Sequence, residues 1–131
     1  MRSRRCHPTV SVLFIALLAL SGCGRLATIT GKITQKGQPV TYGIVIFYYA
    51  DGTRNDARIT NDGTYSMTEV KPGAVRIGVE SPKPSASAGN ASSGKPDPAK
   101  WFAIDAKYNN PDTSGKTATI QGNDTVNIDL D

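Results

Sequence analysis

Two hydrophobic patterns divide the chain. Residues 10–20 are an almost uninterrupted apolar run, whereas from Ala27 onward apolar and polar side chains alternate in short stretches separated by Gly, Pro, Asn and Asp. The run is too short to cross a bilayer as a helix, which takes about 20 apolar residues. The alternation is the period-2 signature of half-buried strands punctuated by turns, and no convincing helical stretch is present.

Along Thr28-Ile29-Thr30-Gly31-Lys32-Ile33-Thr34, the two isoleucines fall on one face and Thr28, Thr30, Lys32 and Thr34 on the other. Lys36-Gly37-Gln38-Pro39 predicts a turn. Residues 43–49 are apolar on both alternating sets, which suits a strand covered on both faces or flanked by an aromatic surface strip. After a turn at Asp51-Gly52, residues 56–60 form a strand, and Asn61-Asp62-Gly63 predicts a tight hairpin into Thr64-Tyr65-Ser66-Met67. Val70-Lys71-Pro72-Gly73 turns the chain again; Val75, Ile77 and Val79 then point inward, with Arg76 and Glu80 toward solvent. Residues 117–120 and 126–130 alternate in the same way. About seven strands at this spacing predict an all-β fold, a single small antiparallel β-sandwich. Residues 81–99 are rich in Pro, Ser and Gly and predict a long mobile loop. It reads as a tolerated insertion rather than a functional one, since closure entropy grows only logarithmically with length.

Ahead of this domain, Arg2, Arg4 and Arg5 precede the apolar run, and Leu20-Ser21-Gly22-Cys23 closes it. This is the layout of a secretory signal. The last four residues resemble the bacterial lipobox, in which an aliphatic and two small residues precede a cysteine. The resemblance implies cleavage between Gly22 and Cys23 and a diacylglyceryl group on Cys23, the new N-terminus. Residues 1–22 are then the signal peptide, 23–26 the lipidated N-terminus and short tether, and 27–131 the β-sandwich domain. Two or three acyl chains bind a membrane stably, at about 0.8 kcal/mol per buried methylene. Gly24 follows the cysteine. By analogy with the rule that Asp there retains a lipoprotein in the inner membrane, the expected address is the bacterial outer membrane, facing periplasm or exterior.

Processing alters the charge balance. Three of the fifteen basic side chains lie in residues 1–22 and none of the eleven acidic ones does, so a formal +4 becomes twelve against eleven, or +1. Nucleic-acid binding by charge is not expected. Cys6 and His7 also fall in the signal, leaving no disulfide, no imidazole and no thiol free of lipid. That removes most hydrolytic triads and the usual zinc sites, and neither cofactor nor metal is expected.

Three segments resemble bacterial lipoproteins with a carboxypeptidase regulatory-like, or transthyretin-like (prealbumin-like), domain. They are Ile29-Thr30-Gly31-Lys32-Ile33 followed by Lys36-Gly37-Gln38-Pro39-Val40; Thr60-Asn61-Asp62-Gly63-Thr64-Tyr65 with Val70-Lys71-Pro72-Gly73; and residues 107–115, Lys107 to Gly115. The resemblance implies a seven-stranded Greek-key sandwich and no fixed reaction, since the fold hosts many functions. Its hydrolase branch uses histidines and a C-terminal Tyr-Arg-Gly-Ser, whereas this chain ends Asn127-Ile128-Asp129-Leu130-Asp131.

Tyr48, Tyr49, Trp101 and Phe102 are candidates for a platform that stacks a sugar ring or a peptide; packing is the competing reading. Asp51, Asp56, Asp62 and Asp97 invite a calcium site, but none matches the Asp-x-Asp-x-Asp-Gly loop, and turn aspartates usually bond their own backbone. Lys32, Asn127 and Glu69 are the only trio for an internal isopeptide bond, and alternation turns Lys32 and Asn127 to water. Paired acids for glycoside hydrolysis need a cleft that a small filled sandwich lacks. Asn90 and Asn123 open glycosylation sequons, out of place beside a bacterial lipobox. The expectation is a non-enzymatic, lipid-anchored envelope protein whose sandwich serves structural or protein-interaction purposes. Its partners are the membrane and an unnamed envelope protein or glycan. The alternative is a carbohydrate- or peptide-binding module using the aromatic cluster.

Overall fold

A computed structural model of the chain describes residues 24–85 and 97–131. The expectations for the signal, for Gly22 and Cys23, for Asn90 and for the middle of the long loop lie outside them. Among the described residues, nine strand segments make two sheets packed as a β-sandwich: β1 (Ala27–Gln35), β2 (Gln38–Pro39), β3 (Gly43–Tyr49), β4 (Arg54–Ile59), β5 (Thr64–Val70), β6 (Gly73–Glu80), β7 (Thr117–Ile120), β8 (Asp124–Thr125) and β9 (Ile128–Leu130). In the first sheet β1 pairs antiparallel with β5 and β2 along one edge, and parallel with β8 and β9 along the other. The second sheet runs β4-β3-β6-β7, antiparallel throughout. The expected all-β sandwich is present, but the expected all-antiparallel pairing is not. Period-2 patterning assigns faces; it does not assign a strand's neighbour or direction.

Burial follows the alternation. Along β1 every second residue from Ala27 to Ile33 is buried and those between are exposed. Val45, Phe47 and Tyr49 of β3 join the core with Val75, Ile77 and Val79 of β6, while Ile46 is buried on the strand's other face. Phe47 and Tyr65 meet across the sheets edge to face, centroids 6.2 Å apart, a favoured aromatic geometry. Gly31 is a special case. It lies opposite Tyr65 in the ladder, and a Cβ there would strike both the Tyr65 ring and the Val126 carbonyl. The missing side chain lets the Tyr65 ring approach, and its Oη donates to Val126 O at 2.6 Å. Tyr65 thus ties β5 to the last strands across β1.

The turn at Asn61-Asp62-Gly63 forms, with Gly63 N–H donating to Thr60 O at 2.9 Å and Thr60 N–H to Thr64 O at 2.8 Å. It is not a hairpin within one sheet, however: β4 belongs to the second sheet and β5 to the first, so the turn is a corner between layers. Helical turns also appear where none was expected. A 3-10 turn covers Ala106–Asn109, and a single α-turn, α1, covers Pro111–Ser114. Asp105 and Asn110 cap them through Lys107 N–H and Asp112 N–H, and Gly115 ends α1 in the left-handed region. This segment covers β6 beyond the reach of β7. Ser114 Oγ donates to Ile77 O at 2.5 Å, and Ile77 N–H donates to Lys116 O at 2.9 Å. A covered edge cannot template further strand pairing.

Candidate functional site

The four aromatic side chains proposed as a platform are not brought together. Tyr48 and Tyr49 are successive strand residues and point to opposite faces. Tyr49 is buried, with Oη donating to Lys71 O at 2.9 Å. Tyr48 is half-buried on the outer face and borders a shallow depression with Ala50, Ala74 and Arg76. Trp101 and Phe102 sit toward the other end of β3. Trp101 Nε1 donates to Ser81 Oγ at 3.1 Å and to Ser81 O at 3.3 Å, and Phe102 packs half-buried against the core. Ser81 follows Glu80, which pairs with Ile44, whereas Tyr48 pairs with Arg76. Those rows lie about 13 Å apart along the strand. Trp101 closes the base of the long loop; it does not face Tyr48.

The aspartates bond their own turns. Asp51 accepts from Thr53 N–H at 2.9 Å and Thr53 Oγ1 at 2.6 Å, and these bonds, helped by Lys71, hold its carboxyl below the usual range. Asp62 accepts from the hydroxyls of Thr60 and Thr64 and from Thr64 N–H, which brings its carboxyl down to about 2. Asp97 accepts from Ala99 N–H at 3.0 Å, and Asp56 stands exposed on β4. Among the described residues no three His, Cys, Asp or Glu side chains gather.

Lys32 and Asn127 both face water, as the alternation predicts, and they do meet. The contact is a hydrogen bond from Lys32 N–H to Asn127 Oδ1 at 3.0 Å. It belongs to a larger arrangement that sequence reading missed. Thr28 N–H donates to Asn123 Oδ1 at 2.8 Å, Thr30 and Thr125 hydroxyls stand 3.5 Å apart, and Thr34 Oγ1 donates to Asp129 Oδ1 at 2.9 Å. All four pairs have the same sequence separation of 95 residues. One register therefore runs through the gap between β8 and β9, where Asn127 supplies the acceptor that links them to β1. Glu69 takes no part; it occupies the left-handed region (φ 57°) at a bulge where β5 slips against Ala27 and Ile29. The signal available in sequence was the polar spacing at 123, 125, 127 and 129 against 28, 30, 32 and 34. What was hidden was that these two rows are neighbours.

Chemically this face is a row of hydroxyls, amides and one carboxylate, Asp129, already bonded to one another. The described residues hold no histidine and no cysteine. Burial pushes the Tyr65 phenol up, so it remains a donor to Val126. Cys23 and Gly22 lie outside the described residues, but the chain just beyond them does not. Gly24 rests beside Pro72, Leu26 is the one exposed large hydrophobic among the described residues at 57%, and Ala27 is buried at 2%.

No family model matches the chain, and no curated protein does. Among solved structures, it is similar to a DUF3823 family protein from Parabacteroides merdae, with 17% identity and a TM-score of 0.48, over 82% of this chain and 46% of that one. It is also similar to the TIE protein of Bacillus anthracis, with 11% identity and a TM-score of 0.47, over 80% of this chain and 16% of that one. The chain spans less than half the length of either protein.

Proposed function

We propose that this protein is a non-catalytic, lipid-anchored component of a bacterial cell envelope, with a carboxypeptidase regulatory-like sandwich serving a structural or protein-interaction role. The observation that carries the reading is the join between anchor and fold. Only Gly24, Arg25 and Leu26 separate Cys23 from Ala27, the first buried residue of β1. A signal ending at Gly22 thus leaves a chain whose first structural position follows almost at once. The use of polar side chains agrees with a scaffold: Tyr49, Tyr65, Trp101, Ser114 and Asp62 are all engaged in bonds that hold turns, edges and strands. The carbohydrate- or peptide-binding alternative has Tyr49 buried and its other three aromatic side chains, Tyr48, Trp101 and Phe102, divided between the two ends of β3.

Growth of cells expressing the full chain with a clickable fatty acid tests the reading. The wild-type protein is expected to take up the label and Cys23→Ser to take up none. An unlabelled wild-type protein, or a labelled Cys23→Ser variant, overturns it.

A further inference from the structure

The tether is short enough to decide which way the domain faces. Adjacent Cα atoms are about 3.8 Å apart, so Cys23 lies one such step from Gly24. Gly24 is exposed but lies against the fold: a Cβ placed on it would be 3.8 Å from Pro72 Cγ. The residue that follows Cys23 is therefore held beside the β5–β6 turn.

Two further turns share that end. Thr28 N–H donates to Asn123 Oδ1, bringing Gln121-Gly122-Asn123 alongside the start of β1, and Arg25, Leu26, Pro72, Gln121 and Gly122 line one shallow concavity. Tyr49 Oη on Lys71 O, and Lys71 Nζ 3.5 Å from Asp51, bring in the β3–β4 turn. The chemistry suits a headgroup zone. Leu26 is large, apolar and exposed; Arg25 is exposed beside it, and Lys71 is balanced by Asp51. A leucine next to acyl chains enters the interface, and a basic side chain beside it reaches phosphates.

We propose that this end of the sandwich, formed by residues 24–26 with the turns at Lys71-Pro72 and Gln121-Gly122, is a membrane-docking surface seated on lipid headgroups. The inference rests on the lipid anchor of the preceding section and adds the orientation it imposes. The sandwich then stands with β1 rising from the bilayer. The opposite end carries Lys36-Gly37, the corner at Thr60-Asn61-Asp62-Gly63, Leu130 of β9 and the Ser81 and Trp101 positions where the Pro/Ser/Gly-rich stretch leaves and returns. β1 spans about 30 Å, whereas the headgroup layer on each side is about 5–7 Å thick, so the far end lies clear of it.

The test uses the full chain, lipidated in cells and reconstituted into phosphatidylcholine vesicles containing a headgroup-nitroxide lipid. A fluorophore is placed on Gln121→Cys or on Gln38→Cys; both positions are exposed, at opposite ends. With Cys6 removed and Cys23 lipidated, the introduced thiol is the sole site of labelling. The label at 121 is expected to be quenched several-fold more than the label at 38. Inserting about 20 Gly/Ser residues between Gly24 and Arg25, a coil of roughly 25 Å, is expected to abolish the difference without altering fatty-acid uptake. Equal quenching at both sites of the lipidated protein overturns the orientation alone, and a difference that survives the insertion overturns the tether as its cause. A protein that takes up no fatty acid overturns the anchor and the orientation together.

Discussion

At the scale of single residues, turn chemistry offers the sharpest tests. Asp62 has a folded pKa of about 2, below its ordinary 3.8, because the Thr60 and Thr64 hydroxyls favour the carboxylate. A depressed acid contributes stability that is fully present above the unfolded value and is lost as pH falls through the folded one. Asp62→Asn is therefore expected to lower the urea midpoint by a constant amount above about pH 5, with the gap to wild type closing from about pH 4 to pH 2. A gap independent of pH would mean that the charge is not the source. Lys36 and Gly37 both have positive φ, 50° and 79°, the pattern of a type I′ turn, where Asn-Gly is preferred. A non-glycine residue there costs roughly 1 kcal/mol. Lys36→Asn should raise stability by about 0.5–1 kcal/mol and the melting temperature by about 4 °C, read by thermal unfolding; a lower melting temperature counts against the turn assignment.

The elements show what a strand pattern conveys. Asn127 bridges the break between β8 and β9, so Asn127→Ala should cost about 1 kcal/mol in denaturant unfolding, whereas Asn127→Asp, which keeps the acceptor, should cost less. Equal losses would place the effect elsewhere. At Gly31 an added methyl meets backbone, the Val126 carbonyl, which cannot swing aside; Gly31→Ala is expected to lie at the upper end of the roughly 1–3 kcal/mol typical of overpacking. The faces of β1 and β6 were legible, because Ile29, Ile33, Val75, Ile77 and Val79 alternate cleanly and one face is buried. The parallel pairing of β8 and β9 was not, since alternation is the same whichever way a neighbour runs. The Asn61-Asp62-Gly63 turn was legible as a turn but not as a corner between sheets, because a tight turn fixes chain reversal and not the layer the chain enters next. α1 was marked by Asn110-Pro111 and Gly115, but a one-turn helix is too short to show a period. The aromatic platform failed for a similar reason: neighbours in sequence, such as Tyr48 and Tyr49, are opposites on a strand, and the return point of a long loop carries no pattern.

For the whole molecule, the ends of the chain govern the first sheet. β1 begins four positions after Cys23, and its parallel partners are the last strands of the chain. Truncation after Gly122 removes β8 and β9, along with the Val126 and Asn127 contacts of Tyr65 and Lys32. The shortened chain is expected to lose cooperative urea unfolding, followed by circular dichroism and Trp101 fluorescence; a transition like that of the full chain would show that the sandwich closes without them. This placement also bears on how the protein comes into being. β1 is made well before its parallel partners, so its sheet cannot be completed until the chain through Leu130 has been synthesised. Contacts that distant in sequence also form slowly. On the proposed route of export, this late closure keeps the chain threadable until residues 124–130 have been made.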